Sequence, residues 1–288
     1  MDLFISQALN GFVYGVLLFL LASGLSLIFG LMGVVNLAHG SFFMLGAFFG
    51  LSAVKLTGSF WLAMLLAPIP VAIIAVLMEV FFLRPLYKRE KLDQVLLTFG
   101  FSFIFTDLVE TGWGKDTFSL SEPSGLEDSL EFLGGYFPTY RLALVAFGLV
   151  MALLLWLFID KTRAGAMVRA GVDDTATAMG IGLNVPLLLT TTFASGAALA
   201  ALAGVVAGPI LGVYSGVDVE ILIPAFIVIV VGGMGSLKGA FVGSLLIGLA
   251  DTFGKAYMPE TSMFLIYVAM IFILLARPSG LFGQAAAR

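Results

Sequence analysis

Asn36-Leu37-Ala38-His39-Gly40-Ser41 is the densest polar patch between two long apolar stretches, and it follows a glycine pair at Gly30 and Gly33. On a helix, Asn36 and His39 share a face, being three residues apart. Two polar side chains there suit a passage through a membrane, or the holding of a broken helix end by hydrogen bonds. Asn36 also suits a capping role, its side-chain oxygen accepting from free backbone N–H groups of the next helix while His39 sits near the headgroups. Gly33, Asn36 and His39 are the candidate path residues. Catalytic alternatives are scarce. His39 is the sole histidine and cysteine is absent, which excludes disulfides, thiolate sites, cysteine catalysis and a multi-histidine metal centre. No G-x-x-x-x-G-K-[ST] loop is present to cradle nucleotide phosphates, and no H-E-x-x-H. The acids nearest to the interior of apolar stretches are Glu79, Asp107 and Asp251, each within a turn or two of an expected helix end, so they are expected to snorkel to the interface. Neither an intramembrane aspartyl protease nor an ion-coupled carrier is served by acids placed so. The chain is expected to move something rather than to catalyse a reaction, with no cofactor or metal of its own and its energy supplied from elsewhere.

The second concentration of polar residues is the loop at 161–184. Its run Arg163-Ala164-Gly165-Ala166-Met167-Val168-Arg169-Ala170 is alanine-rich and favours a helix. Gly171 can end that turn, Asp173 or Asp174 can cap the next, and Pro186 marks entry into the following span. Such a short capped helix has the right shape to dock into another protein's groove. The alternative is a loop that merely connects two helices.

These residues need elements to hold them, and composition states what those are. The chain has 288 residues, of which 60% are hydrophobic and 11% charged, against about 25% charged in ordinary globular domains. A mean hydropathy of +1.11 leaves too little polar surface to cover the fold in water, so lipid is the solvent. A net charge of −4 argues against a nucleic-acid partner. Apolar stretches of helix-spanning length fall at 8–31, 36–54, 60–83, 94–111, 139–159, 184–208, 219–232, 237–256 and 262–276. The first lacks a basic leading segment and is too long for a signal-peptide core, so it is expected to be a retained helix. The expected fold is an all-α integral membrane protein, a polytopic bundle of about eight or nine transmembrane helices forming a single domain over 1–288.

Arg84, Lys88, Arg89, Lys91, Lys161, Arg163, Arg169, Lys238, Arg277 and Arg288 make ten of the fourteen basic residues, and one alternating topology puts all ten on one side. The bias of basic residues toward the cytoplasm then predicts an external N-terminus and a cytoplasmic C-terminus. Val219–Gly232 and Leu237–Ala256 are short and meet at Gly232-Gly233-Met234-Gly235-Ser236. They form either two spans or a broken, re-entrant pair that lowers the count to seven. Gly30-Leu31-Met32-Gly33 and Gly232-Gly233-Met234-Gly235 each precede a leucine and a small-residue helix, a faint internal repeat of the kind from which transporters are built. The small-residue face Gly196–Gly204 suits close helix packing.

Four ordered stretches carry a family resemblance. Arg169-Ala170-Gly171-Val172-Asp173-Asp174, then Gly182-Leu183-Asn184-Val185-Pro186, resembles the cytoplasmic coupling loop of branched-chain amino-acid ABC transporter permeases of the LivH type. Gly180-Ile181 departs from it, since the family's run usually carries a single glycine-isoleucine before that point. Ala8-Leu9-Asn10-Gly11 and the segment from Gly30 to Gly40 are similar to the family's N-terminal motifs. Val231–Gly239 and Arg277–Gly283 are similar to its C-terminal pair. The resemblance implies a permease subunit of a bacterial inner-membrane ABC importer for branched-chain amino acids or another small solute such as urea or an amide. It further implies a second, LivM-like permease, two ATPase subunits that hydrolyse ATP, and a periplasmic solute-binding protein as partners. Arg169, Asp173, Asp174, Gly182 and Asn184 would belong to the loop that receives the ATPase. A self-sufficient ion-coupled carrier or passive channel is the alternative.

Overall fold

The computed structural model describes residues 3–132 and 135–283, apart from the side chains of residues 132, 173, 175 and 176. The apolar stretches become helices almost where hydropathy puts them. They are α1 (Leu3–Met32), α2 (His39–Thr57), α3 (Phe60–Leu66), α4 (Pro68–Met78), α5 (Lys91–Trp113), α6 (Thr139–Lys161), α9 (Val185–Leu211), α10 (Val217–Gly232), α11 (Leu237–Tyr257) and α12 (Ser262–Ala276). Between α6 and α9 lie α7 (Arg163–Asp173) and α8 (Thr175–Gly180). α3 and α4 continue through a π-helical turn at Glu79–Leu83 and a 3₁₀ turn at Arg84–Leu86 to make one rod. Among the described residues seven helices, counting that rod once, are long and apolar enough to cross a membrane. α10 and α12, of 16 and 15 residues, are shorter. The protein is an all-α, multi-pass integral membrane protein. The one sheet among the described residues is a hairpin of β1 (Ser129–Phe132) and β2 (Gly135–Pro138), antiparallel with Ser129 opposite Pro138.

α1 is the axis of the bundle. Its residues from Val16 to Leu25 are buried on every side, because α11, α9, α6 and α10 surround it. Lipid supplies no hydrophobic drive between apolar helices, so close backbone approach must hold them together. Glycine provides it. A Cβ on Gly24 would lie 2.4 Å from the Gly196 carbonyl oxygen, and one on Gly46 2.3 Å from the Ala201 backbone. The small-residue face of α9 is therefore packing surface, turned toward α1 and α2. α11 runs antiparallel to α1 along its length, with Gly235 against Gly30, Gly248 against Gly15 and Leu249 against Gly11. Within the 219–256 segment α11 is a full-length helix of 21 residues, while α10, of 16, is the short member of the pair.

One acid expected to snorkel to the interface is buried instead. Glu79 is fully buried, because four donor contacts replace its water. Arg84 reaches it with two nitrogens, at 3.2 and 2.9 Å, while the Tyr87 hydroxyl donates at 2.6 Å and Thr190 Oγ1 at 2.7 Å. The knot ties the end of the 60–86 rod to the first turns of α9. Asp251 is largely covered and bonded to Lys255, one turn along α11, at 2.6 Å. Asp107 is exposed.

Candidate translocation site and docking segment

After α1 the chain does not turn directly into α2. Gly33 takes a left-handed conformation (φ +64°), which glycine adopts without strain, and residues 34–38 run back into the bundle. Asn36 Oδ1 accepts from the Ala38 N–H at 3.1 Å, and the Asn36 carbonyl accepts from His39 N–H at 3.3 Å. Asn36 thus lies in the loop and shapes it. The helix cap is Ala38, which has no side-chain bond, so the expectations that Asn36 caps α2 and shares a helical face with His39 do not hold. The Leu37 N–H is taken by Thr98 Oγ1 of α5 at 3.1 Å.

His39 opens α2 and is fully buried, away from any headgroup. Its Nε2 lies 3.1 Å from the Leu21 carbonyl oxygen. A carbonyl can only accept, so Nε2 carries the proton. Leu21 lies about 16 Å along α1 from Met32, so α2 starts deep within the bundle. Opposite it, α10 also starts inside: a Cβ on Gly40 would lie 2.3 Å from the Asp218 carbonyl oxygen. Ser41 Oγ donates to Asp218 Oδ2 at 2.9 Å, and Thr106 Oγ1 of α5 lies 3.4 Å from the same oxygen. Two helix N-termini, each the positive end of a backbone dipole, meet around one buried carboxylate. Asp218 stands one residue before the apolar run from Val219, and sequence reasoning missed it. Its position before an interior proline helix, Val217-Asp218-Val219-Glu220-Ile221-Leu222-Ile223-Pro224, was the available signal.

Gly33 is separate from this junction. It lines a cavity of about 1010 Å³ at the end of the bundle that carries the basic loops. Arg169 of α7 and Lys238 of α11 also line it, and both stand 3.8 Å from Asp160. The two glycine-methionine-glycine motifs meet at its edge, where Gly30 and Gly235 approach backbone to backbone. The C-terminal segment closes the other side: Leu281 N–H donates to Val231 O and Phe282 N–H to Gly232 O, both at 2.9 Å.

The segment 161–184 is helical and locally capped. Thr162 Oγ1 accepts from Gly165 N–H at 3.0 Å to start α7. α7 continues through Gly171 to Asp173, so that glycine does not terminate it. The Asp173 side chain lies outside the described residues. Asp174 caps α8, taking the Thr177 N–H at 3.1 Å and bonding the Thr177 hydroxyl. Gly182 provides a left-handed turn (φ +89°). Asn184 Oδ1 accepts from Leu187 N–H at 3.1 Å to open α9, with Pro186 in its first turn. Around these caps the apolar side chains of Met167, Met179 and Ile181 are exposed.

Residues 7–274 match the model of the branched-chain amino acid transport system / permease component family. The chain belongs to that family. This permease is 29% identical to the high-affinity branched-chain amino acid transport system permease protein LivH of Salmonella typhimurium, over 98% of this chain and 96% of the relative. It is equally similar, with the same coverage, to the corresponding permease protein BraD of Pseudomonas aeruginosa. A probable branched-chain amino acid transport permease protein LivH of Methanocaldococcus jannaschii is 28% identical over 94% of this chain and 90% of its own length. No solved structure matches the chain. The permease is a transport protein and not an enzyme.

Proposed function

We propose that this permease is one membrane subunit of a bacterial ABC importer in the inner membrane, moving branched-chain amino acids or a related small polar solute. A second, LivM-like permease would complete the passage, a periplasmic solute-binding protein would deliver the solute, and two ATPase subunits would hydrolyse ATP. The N-terminus faces the periplasm and the C-terminus the cytoplasm, as the ten clustered basic residues favour. The observation that carries the energy-coupling part is the segment 161–184. Its two helices are capped from within, yet it leaves Met179 and Ile181 54% and 73% exposed among the polar residues of the basic end, where the fold does not cover them. An ATPase groove is the surface that would. Residues Arg169, Asp173, Asp174, Gly182 and Asn184 belong to this docking segment. Gly33 belongs to the vestibule at the same end, and Asn36 and His39 to the junction that the passage must skirt.

The test is gentle solubilisation through a tag on this chain, followed by identification of what accompanies it. Recovery of an ATPase and a second permease supports the importer. Recovery of the chain alone, in a detergent that preserves known importers, favours a self-sufficient carrier. That second reading has one observation in its favour: Asp218 is an intramembrane acid of the sort that ion coupling uses. Uptake by the chain alone in liposomes under an ion gradient, without ATP, would establish it.

A further inference from the structure

We propose that Asp218, anchored through one carboxylate oxygen by Ser41 and Thr106 where α2 and α10 meet, is a binding group on the translocation path for the ammonium group of an amino-acid solute. The proposal rests on the transport function above and deepens it. Oδ2 accepts from Ser41 Oγ at 2.9 Å, and Thr106 Oγ1, which shares its proton with the nearer Ser102 carbonyl at 3.0 Å, lies 3.4 Å away. Oδ1 is buried and has no hydrogen-bond partner among the described residues. The helix N-termini explain why a negative charge is tolerated at this depth; they do not explain an open oxygen. Buried carboxylates in a membrane interior are costly unless paired, and the group that pairs with an acceptor-only oxygen is a cation or a proton donor. Two more buried polar atoms stand unsatisfied among the described residues on the stretch that carries Ser41, Asn36 Nδ2 and His39 Nδ1.

The surroundings select the class of cation. Glu220 lies two residues on, bonded to the Tyr214 hydroxyl at 2.6 Å, and Glu110 lies one turn beyond Thr106 on α5, bonded to Ser215 at 2.8 Å. With exposed Asp107 these acids stand on the segments that carry Asp218 and Thr106, toward the end opposite the basic loops, and Lys115 pairs with Glu110 at 3.1 Å. An excess of acids raises the local concentration of positively charged groups. Apolar side chains pack nearby: Leu222 lies against Gly40, and Phe42, next to Ser41 in the chain, has its ring 6.0 Å from Phe105 and 5.9 Å from Phe193. One carboxylate beside aromatic and aliphatic neighbours fits an ammonium group carried next to an apolar side chain.

The chain contains no cysteine, which permits a direct test in the intact complex. Ser41→Cys places a thiol beside Asp218 while keeping the acid. In proteoliposomes holding the full transporter with ATP, a cationic methanethiosulfonate reagent is expected to modify Ser41→Cys about tenfold faster than its anionic counterpart. Leucine presented with the binding protein should slow the modification. Adding Asp218→Asn should bring the two reagents to similar rates. Uptake of radiolabelled leucine should fall at least tenfold in Asp218→Asn and partly recover in Asp218→Glu. A complex that takes up leucine yet leaves Ser41→Cys unmodified, or shows no charge preference, overturns the proposal while the transport function stands. If leucine uptake fails in the unsubstituted complex, the assigned solute is wrong, and the labelling preference alone then decides whether cations meet Asp218. Should Asp218→Asn not reach the membrane, Ser41→Cys with Thr106→Val serves instead: faster cationic labelling supports the site, and equal labelling rejects it.

Discussion

Ser41 Oγ donates to Asp218 Oδ2 at 2.9 Å across 177 residues of chain, joining the first turns of two helices that begin inside the bundle. Both groups are buried, so the bond is made without competing water and one partner is charged. Bonds of that kind are worth about 1.5–3 kcal/mol. Ser41→Ala is expected to lower stability by that amount, and Ser41→Thr, which keeps a hydroxyl, by much less. Thermal unfolding in detergent measures the difference, and equal midpoints for the two variants would show that the bond contributes nothing.

Glu79 holds Arg84, Tyr87 and Thr190 around a carboxylate with no exposed surface. Glu79→Ala removes the acceptor for all three and strands their polar groups. Breaking a buried pair from one side costs about 3–5 kcal/mol, so this variant should show strongly reduced abundance and a lower melting temperature. Arg84 is more exposed than Glu79 and can rehydrate when its partner is removed, whereas Arg84→Ala leaves a fully buried carboxylate without its cation, so Arg84→Ala should be at least as damaging as Glu79→Ala. A clearly milder Arg84→Ala would mean that the Tyr87 and Thr190 hydroxyls suffice to hold the carboxylate.

Gly46 meets Ala201 backbone to backbone, whereas nothing lies within 4 Å of a Cβ on Gly100. Backbone cannot step aside as a flexible side chain can. Gly46→Ala should therefore separate α2 from α9 at a cost of about 1–3 kcal/mol. Gly100→Ala, in the middle of an exposed helix face, should be neutral or gain about 1 kcal/mol from helix propensity. Parallel measurement of membrane abundance and melting checks both.

Met179 and Ile181 project from the 161–184 segment, proposed above as the docking segment, without contributing to the core. Met179→Asp with Ile181→Asp should leave the chain in the membrane with an unchanged melting temperature, yet remove any co-purifying ATPase. Asn184→Ala acts differently. It deletes the cap of α9 at a cost of about 1 kcal/mol and should loosen the segment without altering its exposed face. Retained ATPase in the double variant would remove the docking role from these two residues.

Sequence alone determined the helices and their order. Twenty apolar residues cannot stay in water, and an unpaired backbone cannot stay in lipid, so hydropathy sets spans to within a few residues, as the ranges of α5, α6 and α12 show. It also narrowed the cap of α8 to Asp173 or Asp174, and Asp174 fills it, because a cap acts within three residues of its own position; the cap at Asn184 is equally local but was not read from the sequence. Tertiary structure decided what depends on neighbours far along the chain. A hydropathy window counts the charge of Glu79 but cannot see Thr190, which lies 111 residues away. Asp218 sits at the edge of an apolar run, where a free end in water is the natural expectation. Only the path of residues 34–38 back into the bundle brings Ser41 to it. The faint repeat of the two glycine-methionine-glycine motifs was visible as letters. That Gly30 and Gly235 touch follows from α1 and α11 running antiparallel, which no local pattern encodes.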